Sequence, residues 1–450
     1  MDIINKIYNC GVVGCGGAGF PSHIKLNCTV DDFIINAAEC EPLLKTDKYI
    51  IRNYSDEIIK TIDIIANQIN AKNIVIALKR VYEEEIKILS ASIQKMNSSV
   101  KLHFLDNFYP AGDEQVLVFE VTGKIIPESG IPLNVGTVVS NIGTVLNIAD
   151  ATKDIPVTDK YITVTGNVKE PRILKVPIGT SFGECIKAAE GSITDNYKII
   201  SGGPMMGTVY DKSEVENLYV TKTTSGIIVI EENSFISNQA SISMTQILNR
   251  AKSSCIQCSY CTDMCPRNQI GHKIRPHKIM RYMAFRPNIK SQNQILKEAL
   301  ICSECGICET YACPMGLSPK RVNSYIKKEL VKNNIKYERN EKILKDHPFR
   351  DYRKVPSKNI VNRMGLKKYY NKKVELYDEL QIEKVSIPLK QHIGISAIPI
   401  VNLLQFVEKG QLIATCEIDE MGANIHASIS GIVIEISENI GIQAKQAGDE

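Results

Sequence analysis

Eight cysteines in this chain are spaced to hold iron and sulfur. Cys255-x2-Cys258-x2-Cys261-x3-Cys265-Pro266 is followed by Cys302-x2-Cys305-x2-Cys308-x4-Cys313-Pro314. A [4Fe–4S] cubane takes four soft thiolates. Two residues between ligands let a tight loop turn three successive thiolates inward, and the fourth comes from further off. Where two such runs occur together, the last cysteine of each ligates the other run's cluster. That rule predicts one cluster on Cys255, Cys258, Cys261 and Cys313, and another on Cys302, Cys305, Cys308 and Cys265. The second run has one extra residue before its last cysteine, so the chain around Tyr311 and Ala312 is expected to bulge. Structural zinc uses paired C-x-x-C spacing without a third cysteine in step. Disulfides need an oxidising compartment, and Met1-Asp2-Ile3-Ile4-Asn5-Lys6 lacks the basic start and apolar core of a secretory signal. The expectation is a one-electron conductor.

A second constellation precedes it. Gly11-Val12-Val13-Gly14-Cys15-Gly16-Gly17-Ala18-Gly19-Phe20-Pro21 is glycine-rich. Glycine lets backbone approach a ligand and turn N–H groups toward phosphate. Gly14-x-Gly16-x-x-Gly19 has the form of the dinucleotide fingerprint, but that motif belongs between a strand and a helix. Here Ile3 to Cys10 reads as a short helix, and Phe20-Pro21 interrupts the helix start. A phosphate or flavin loop of another kind fits better; the bland alternative is a tight turn. Asn36-Ala37-Ala38-Glu39-Cys40-Glu41-Pro42 follows an apolar run, where the end of a buried strand would present polar groups to a ligand. Tyr109-Pro110-Ala111-Gly112-Asp113-Glu114-Gln115 and Ser140-Asn141-Ile142-Gly143-Thr144 are further turns. Each alone reads as a surface turn; together they suggest one pocket built from several loops.

The bulk numbers exclude some classes. The 450 residues suffice for two to four domains, and 44% apolar with 23% charged residues is ordinary for a globular protein. A net charge of +4 is too small to imply nucleic acid, and no apolar run is long enough to span a bilayer. Cys10, Cys15, Cys28, Cys40, Cys185 and Cys416 are scattered and read as small buried hydrophobes.

These motifs, in this order and with Gly202-Gly203-Pro204-Met205-Met206-Gly207 between them, resemble the C subunit of Rnf electron-transport complexes. The first third also resembles the flavin-binding subunit of respiratory complex I. The whole chain most nearly resembles the cobalamin reductases of propanediol-utilisation microcompartments, through Val220-Thr221-Lys222-Thr223-Thr224, Cys258-Ser259-Tyr260-Cys261-Thr262-Asp263, the stretch from Cys313 to Asn323, and Ile425-His426-Ala427-Ser428-Ile429-Ser430-Gly431. The resemblance implies FMN held without a covalent bond. Gly14, Gly16, Gly17 and Gly19 would cradle it, with Lys25 nearby. Asn36, Glu39 and Glu41 would supply the next loop, Gly112, Asp113 and Glu114 the acidic turn, and Asn141 and Thr144 the last contact. Phe20 would stack on a nicotinamide dinucleotide. Ala38 and Ser140 depart from the complex I pattern, which expects Asp and Asn there.

The fold class expected is mixed. Residues 1–155 read as an α/β FMN- and NADH-binding domain like the complex I flavoprotein, with a strand at Ile74 to Leu78 and a helix from Val81 to Met96. Residues 156–235 read as a β-grasp module of the soluble-ligand-binding type, serving as scaffold, with the Met205–Met206 pair as core. Residues 240–335 read as a helical, ferredoxin-like domain for two [4Fe–4S] clusters. His272 and His277, with Arg275 and Lys278, read as solvated or cluster-screening groups. Residues 336–384 read as a basic, solvated linker or a docking surface for an acidic partner. Residues 385–450 read as an all-β barrel-sandwich hybrid, with Gly422 where a carrier domain would have its modified lysine. In the Rnf subunit that module comes first, and here it comes last.

The resemblance implies NADH as hydride donor, FMN as the two-to-one electron converter, two [4Fe–4S] clusters as conductors and cobalamin as acceptor, feeding a cobalamin adenosyltransferase. No side chain is expected to act as acid or base, since the cofactors carry the hard chemistry. The setting implied is cytoplasmic, with enclosure in a bacterial microcompartment, and contact with its shell protein, left open. Two other classes stay open at this point: a peripheral subunit of an Rnf-like membrane complex, and a non-enzymatic electron-transfer adaptor.

Overall fold

The computed structural model describes residues 2–286, 289, 293–339, 343–377 and 380–445. The first 155 residues are built on a four-stranded parallel sheet. Its spatial order is Lys101–Leu105, Asn73–Lys79, Asp32–Asn36, Thr137–Asn141. Helices Thr46–Gln68 and Glu83–Met96 connect the first three strands in sequence. The chain then passes through helix Glu114–Thr122 and returns on the opposite side of Asp32–Asn36. Strand residues alternate between two cores. Phe33, Ile35, Ile76 and Leu78 pack with Ile51, Ile58 and Ile62 of the long helix, and Ile34 and Ala77 pack with Val116, Leu117 and Val118 on the other face. A sheet covered on both faces explains why its strands read as continuous apolar runs.

The reversal of strand order puts a crevice between Asp32–Asn36 and Thr137–Asn141. In open parallel sheets ligands bind there, beyond the carboxyl ends of the strands. Asn36 and Asn141 end the two strands in register.

The second unit is a six-stranded mixed sheet around helix Phe182–Ala188, with an apolar core of Ile162, Val164, Leu174, Phe182 and Val229. Helices Met244–Ser254, Pro276–Phe285 and Pro319–Lys332 share the core of the cysteine-rich region, which includes Ile247, Met280, Met283, Val322 and Ile326. The C-terminal residues form two small sheets that share one apolar core.

The expectation of a solvated linker at 336–384 is corrected. Val355–Pro356 pairs antiparallel with Phe108–Tyr109, and Glu375–Tyr377 adds an edge strand to the second sheet beside Arg172. Between them Ile360, Val361, Met364, Leu366 and Tyr369 are buried. Enough apolar residues are interspersed among the lysines to bury one face, so the segment straps three units together. Among the described residues no helix is long and apolar enough to cross a membrane.

Candidate functional site

Four loops meet at the crevice. Gly16 lies against Asn141, where an added Cβ would come within 3.4 Å of that side chain. The Cys15 N–H donates to Thr144 Oγ1 at 2.9 Å. Asn36 Nδ2 donates to the Gly112 carbonyl at 2.9 Å, and Lys25 pairs with Glu114 at 3.0 Å. A Cβ on Gly112 would stand 2.5 Å from the Ala38 carbonyl oxygen, so that turn accepts only glycine. Gly17 is different: its φ is +97° and nothing lies within 4 Å of its Cβ direction. The glycine loop is thus fixed on one side and open on the other, the shape of a cradle for a group that approaches backbone closely.

From behind, the loop is held by the other units. Lys222 is fully buried, and its Nζ donates to the carbonyls of Gly11 and Asn424, both at 2.6 Å. Burial pushes that lysine down to about 7. The Ile393 N–H donates to the Ala18 carbonyl at 2.8 Å, and Gly19 packs against Thr223 and His392. The barrel-sandwich module therefore buttresses the loop. Gly422, beside Cys416 Sγ, has no room for a side chain. Phe20 is half-buried beside Gly14, whose N–H donates to the Phe20 carbonyl.

The acids divide into distinct roles. Glu39 is held up well above the usual carboxylate range by burial and then by Asp47, and its Oε2 has no hydrogen-bond partner. Asp47 is raised by burial and accepts from Asn141 Nδ2 at 3.1 Å. Glu41 turns away toward the Gly202–Gly207 turn, accepting from the Met205 N–H at 2.9 Å, and burial pushes it up to about 7. Asp113 caps helix Glu114–Thr122 and receives both arms of Arg267 at 2.7 and 3.0 Å. Met205 is core and Met206 is exposed, so the pair expected as core is split. A cleft of about 440 Å³ on the β-grasp unit, lined by Ile186, Lys187, Glu190, Tyr197 and Val215, lies apart from these loops.

The two cysteine runs fold alike. Gln257 and Ser259 in the first, and Glu304 and Gly306 in the second, take left-handed φ at equivalent positions. Such turns aim N–H groups inward. The Glu304 N–H donates to Cys302 Sγ, the Leu317 N–H to Cys313 Sγ, both at 3.4 Å, and Gln257 Nε2 to Cys255 Sγ at 3.0 Å. The extra residue of the second run is absorbed in a π-helical turn, Cys308–Ala312. Cys261 is pushed up to about 12 by burial and then by Cys313, Cys255 and Cys258. Cys265 is pushed up to about 12 by burial and then by Cys302, and Cys308 upward by burial, Glu309, Cys302, Cys305 and Cys265. Cys313 lies near Cys261, and Cys265 near Cys302. Buried thiols with N–H donors and like neighbours suit an iron–sulfur cube, whose charge replaces the protons.

Of the two histidines expected as solvated or screening groups, His272 lies inside the protein and His277 is half-buried. His272 is buried, with Nε2 at 2.8 Å from the Ile126 carbonyl, and His277 Nδ1 is 2.7 Å from Thr262 Oγ1. Burial lowers both below the ordinary histidine value. The functional residues that local reading missed are Arg267, Asp47 and His392; none stands in a pattern of its own, although Arg267 follows directly on Cys265-Pro266.

Known proteins match these parts. Residues 7–150 match the Nuo51 FMN-binding domain, 161–209 the SLBB domain, 254–318 a 4Fe-4S dicluster domain and 363–448 the RnfC barrel sandwich hybrid domain. Cobalamin reductase PduS of Citrobacter freundii is 38% identical over 437 residues, 97% of this chain and 95% of its own. The chain belongs to the PduS cobalamin reductase family. The PduS of Salmonella typhimurium strain LT2 is 39% identical over the same shares. The C subunit of the proton-translocating ferredoxin:NAD(+) oxidoreductase complex of Clostridium ljungdahlii is 33% identical over 59% of this chain and 56% of its own. An H2-reduced NAD+-reducing [NiFe]-hydrogenase shares the fold at 19% identity and a TM-score of 0.50, over 73% of this chain and 61% of that one. Like the PduS proteins it matches, the chain is an oxidoreductase, with an FMN-binding domain and a 4Fe-4S dicluster domain.

Proposed function

We propose that this chain is an NADH-dependent cobalamin reductase with FMN at the strand crevice and a [4Fe–4S] cluster on each set of four cysteines. The observation that carries the reading is the convergence of the glycine loop, Asn36, Gly112 and Asn141 on one crevice, in a chain alike over nearly its whole length to proteins named cobalamin reductase. The open side at Gly17, the orphaned Glu39 oxygen and the glycine-only turn at Gly112 fit a planar group that meets backbone.

FMN held there would supply the conversion of a hydride from NADH into single electrons. Gly14, Gly16, Gly17 and Gly19 present backbone to it, and Asn36, Asn141 and Thr144 fix the loops at its edge. Glu39, raised by burial and then by Asp47, has an unpartnered Oε2 that the bound group could meet. Lys25, tied to Glu114, sets the mouth, and Phe20 offers a ring face to the nicotinamide. Asp113 and Glu41 act at one remove, by holding the cluster region and the β-grasp turn in place. An adenosyltransferase that consumes the reduced cobalamin, and a microcompartment as setting, rest on the family resemblance.

The test is an anaerobic NADH titration of the flavin- and cluster-loaded chain, followed by flavin absorbance and cluster EPR, with cob(II)alamin then added as acceptor. Flavin bleaching with cluster signals that cobalamin discharges is the expected result. Clusters without bound flavin, or flavin that NADH leaves oxidised, refute it.

A further inference from the structure

The flavin-binding domain meets the cysteine-rich region at one set of four cysteines and not at the other. The Tyr109 hydroxyl, fully buried, donates to the Cys305 carbonyl at 2.8 Å. Arg267, two residues past Cys265, forks onto Asp113. Cys305 shares a core with Leu43, Leu44 and Tyr109, and Cys40 packs at its edge. The Gly112 N–H donates in turn to Cys40 Sγ. Packed and hydrogen-bonded protein therefore runs unbroken from the crevice loops to Cys305 and Cys265.

The other set is turned away. Cys313 lies in the helical core with Ile247 and Met283, and Cys255 packs at its edge. Among the described residues no hydrogen bond or ion pair joins 255–263 to the flavin-binding domain. In this set Cys255, Cys258 and Cys261 are half-buried and Cys313 is buried; in the other, Cys302 is half-buried and Cys265, Cys305 and Cys308 are buried. Ile256 and Tyr260, between the first-run cysteines, are 64% and 55% exposed. Electron tunnelling falls steeply with distance and is faster through packed protein than across solvent.

We propose that electrons enter the cluster pair at the centre on Cys265, Cys302, Cys305 and Cys308, and leave from the centre on Cys255, Cys258, Cys261 and Cys313, beneath Ile256 and Tyr260. This rests on the function proposed above. The reduced flavin would give up two electrons singly, each lowering the entry centre from the 2+ to the 1+ state; that centre would be reoxidised as it lowers the exit centre in turn, and the two flavin protons would go to solvent. Tyr109 and Arg267 are positioning residues for the receiving centre.

The experiment compares Cys258→Ser and Cys302→Ser in the anaerobic, cofactor-loaded chain, mixed rapidly with NADH and freeze-quenched for EPR, with flavin absorbance in parallel. Cys258→Ser should leave its remaining centre reduced as fast as in the unsubstituted chain. Cys302→Ser should bleach flavin but lose the remaining signal on that timescale. Equal rates, or the reverse pattern, overturn the order. A second arm mixes flavin-stripped, cluster-loaded chains with chemically reduced FMN. Flavin that only NADH fails to reduce sinks the donor assignment, while this arm still decides the order. Should either variant lose both centres, the unsubstituted chain serves: a water-soluble paramagnetic chelate should broaden the signal of the centre reduced last and spare the one reduced first, and the opposite refutes the proposal.

Discussion

Replacing Asp113 by Asn isolates one charge at the junction of the two redox units. Asp113 does two things: it caps helix Glu114–Thr122 by accepting from the Gln115 and Val116 N–H groups, and it neutralises Arg267. Asn caps as well as Asp does, so the helix should lose almost nothing. The guanidinium, however, is left in a site where its side chain is 10% exposed, opposite a partner 14% exposed. Water screens such a pair little, and removing one partner of a buried pair costs about 3–5 kcal/mol. Chemical denaturation of the anaerobic, cofactor-loaded chain, followed by loss of cluster absorbance, should show that cost. Adding Arg267→Gln should restore part of it, because the stranded charge goes too, and the cycle should give a coupling energy of about 0.5–3 kcal/mol. A cost for Asp113→Asn below about 1 kcal/mol, the range of an exposed pair, would refute the claim that this bond clamps the domains.

Three further outcomes are expected. Lys222, pushed down to about 7 by burial, binds fewer protons folded than unfolded between that value and the ordinary lysine range near 10, so stability should rise with pH there, by up to about 1.4 kcal/mol per unit; Lys222→Met should flatten the slope in pH-dependent denaturation. Gly17→Ala puts a methyl in the open side of the cradle and strains a φ of +97°; flavin content of the purified chain should fall while cluster content stays. Gly422→Lys drives a side chain into Cys416 and Ile395; it should destabilise the chain by about 1–3 kcal/mol as overpacking does, and mass spectrometry should find no acyl group on the new lysine.

Much of the chemistry was legible because it is local. Three cysteines in step define a loop, and an extra residue between Cys308 and Cys313 must go somewhere; it went into a π-helical turn. The alternation of apolar runs with amphipathic stretches announced an α/β unit. What stayed hidden depends on contacts distant in sequence. Nothing near Asp113 says that its partner is Arg267, and the acid was grouped with the flavin loop for want of that information. The crevice depends on strand order, which periodicity does not report. His272 has basic neighbours in sequence yet points inward to Ile126. In the strap at 355–377 lysine and tyrosine outnumber the few apolar side chains that fix it, so composition favoured solvent.

The position of the barrel sandwich also bears on how such chains are assembled in evolution. The module sits last in sequence, yet its neighbours are the first residues: Tyr8 donates to the Cys416 carbonyl, Asn424 meets the Tyr8 carbonyl, and Ile393 holds Ala18. A module packed beside the amino-terminal helix can be tethered from either side with little change in tether length. Joining the module at either end of the chain would therefore leave its contacts with Tyr8 and Ala18 in place. In this chain the order of modules along the sequence and their order in space are therefore separate properties.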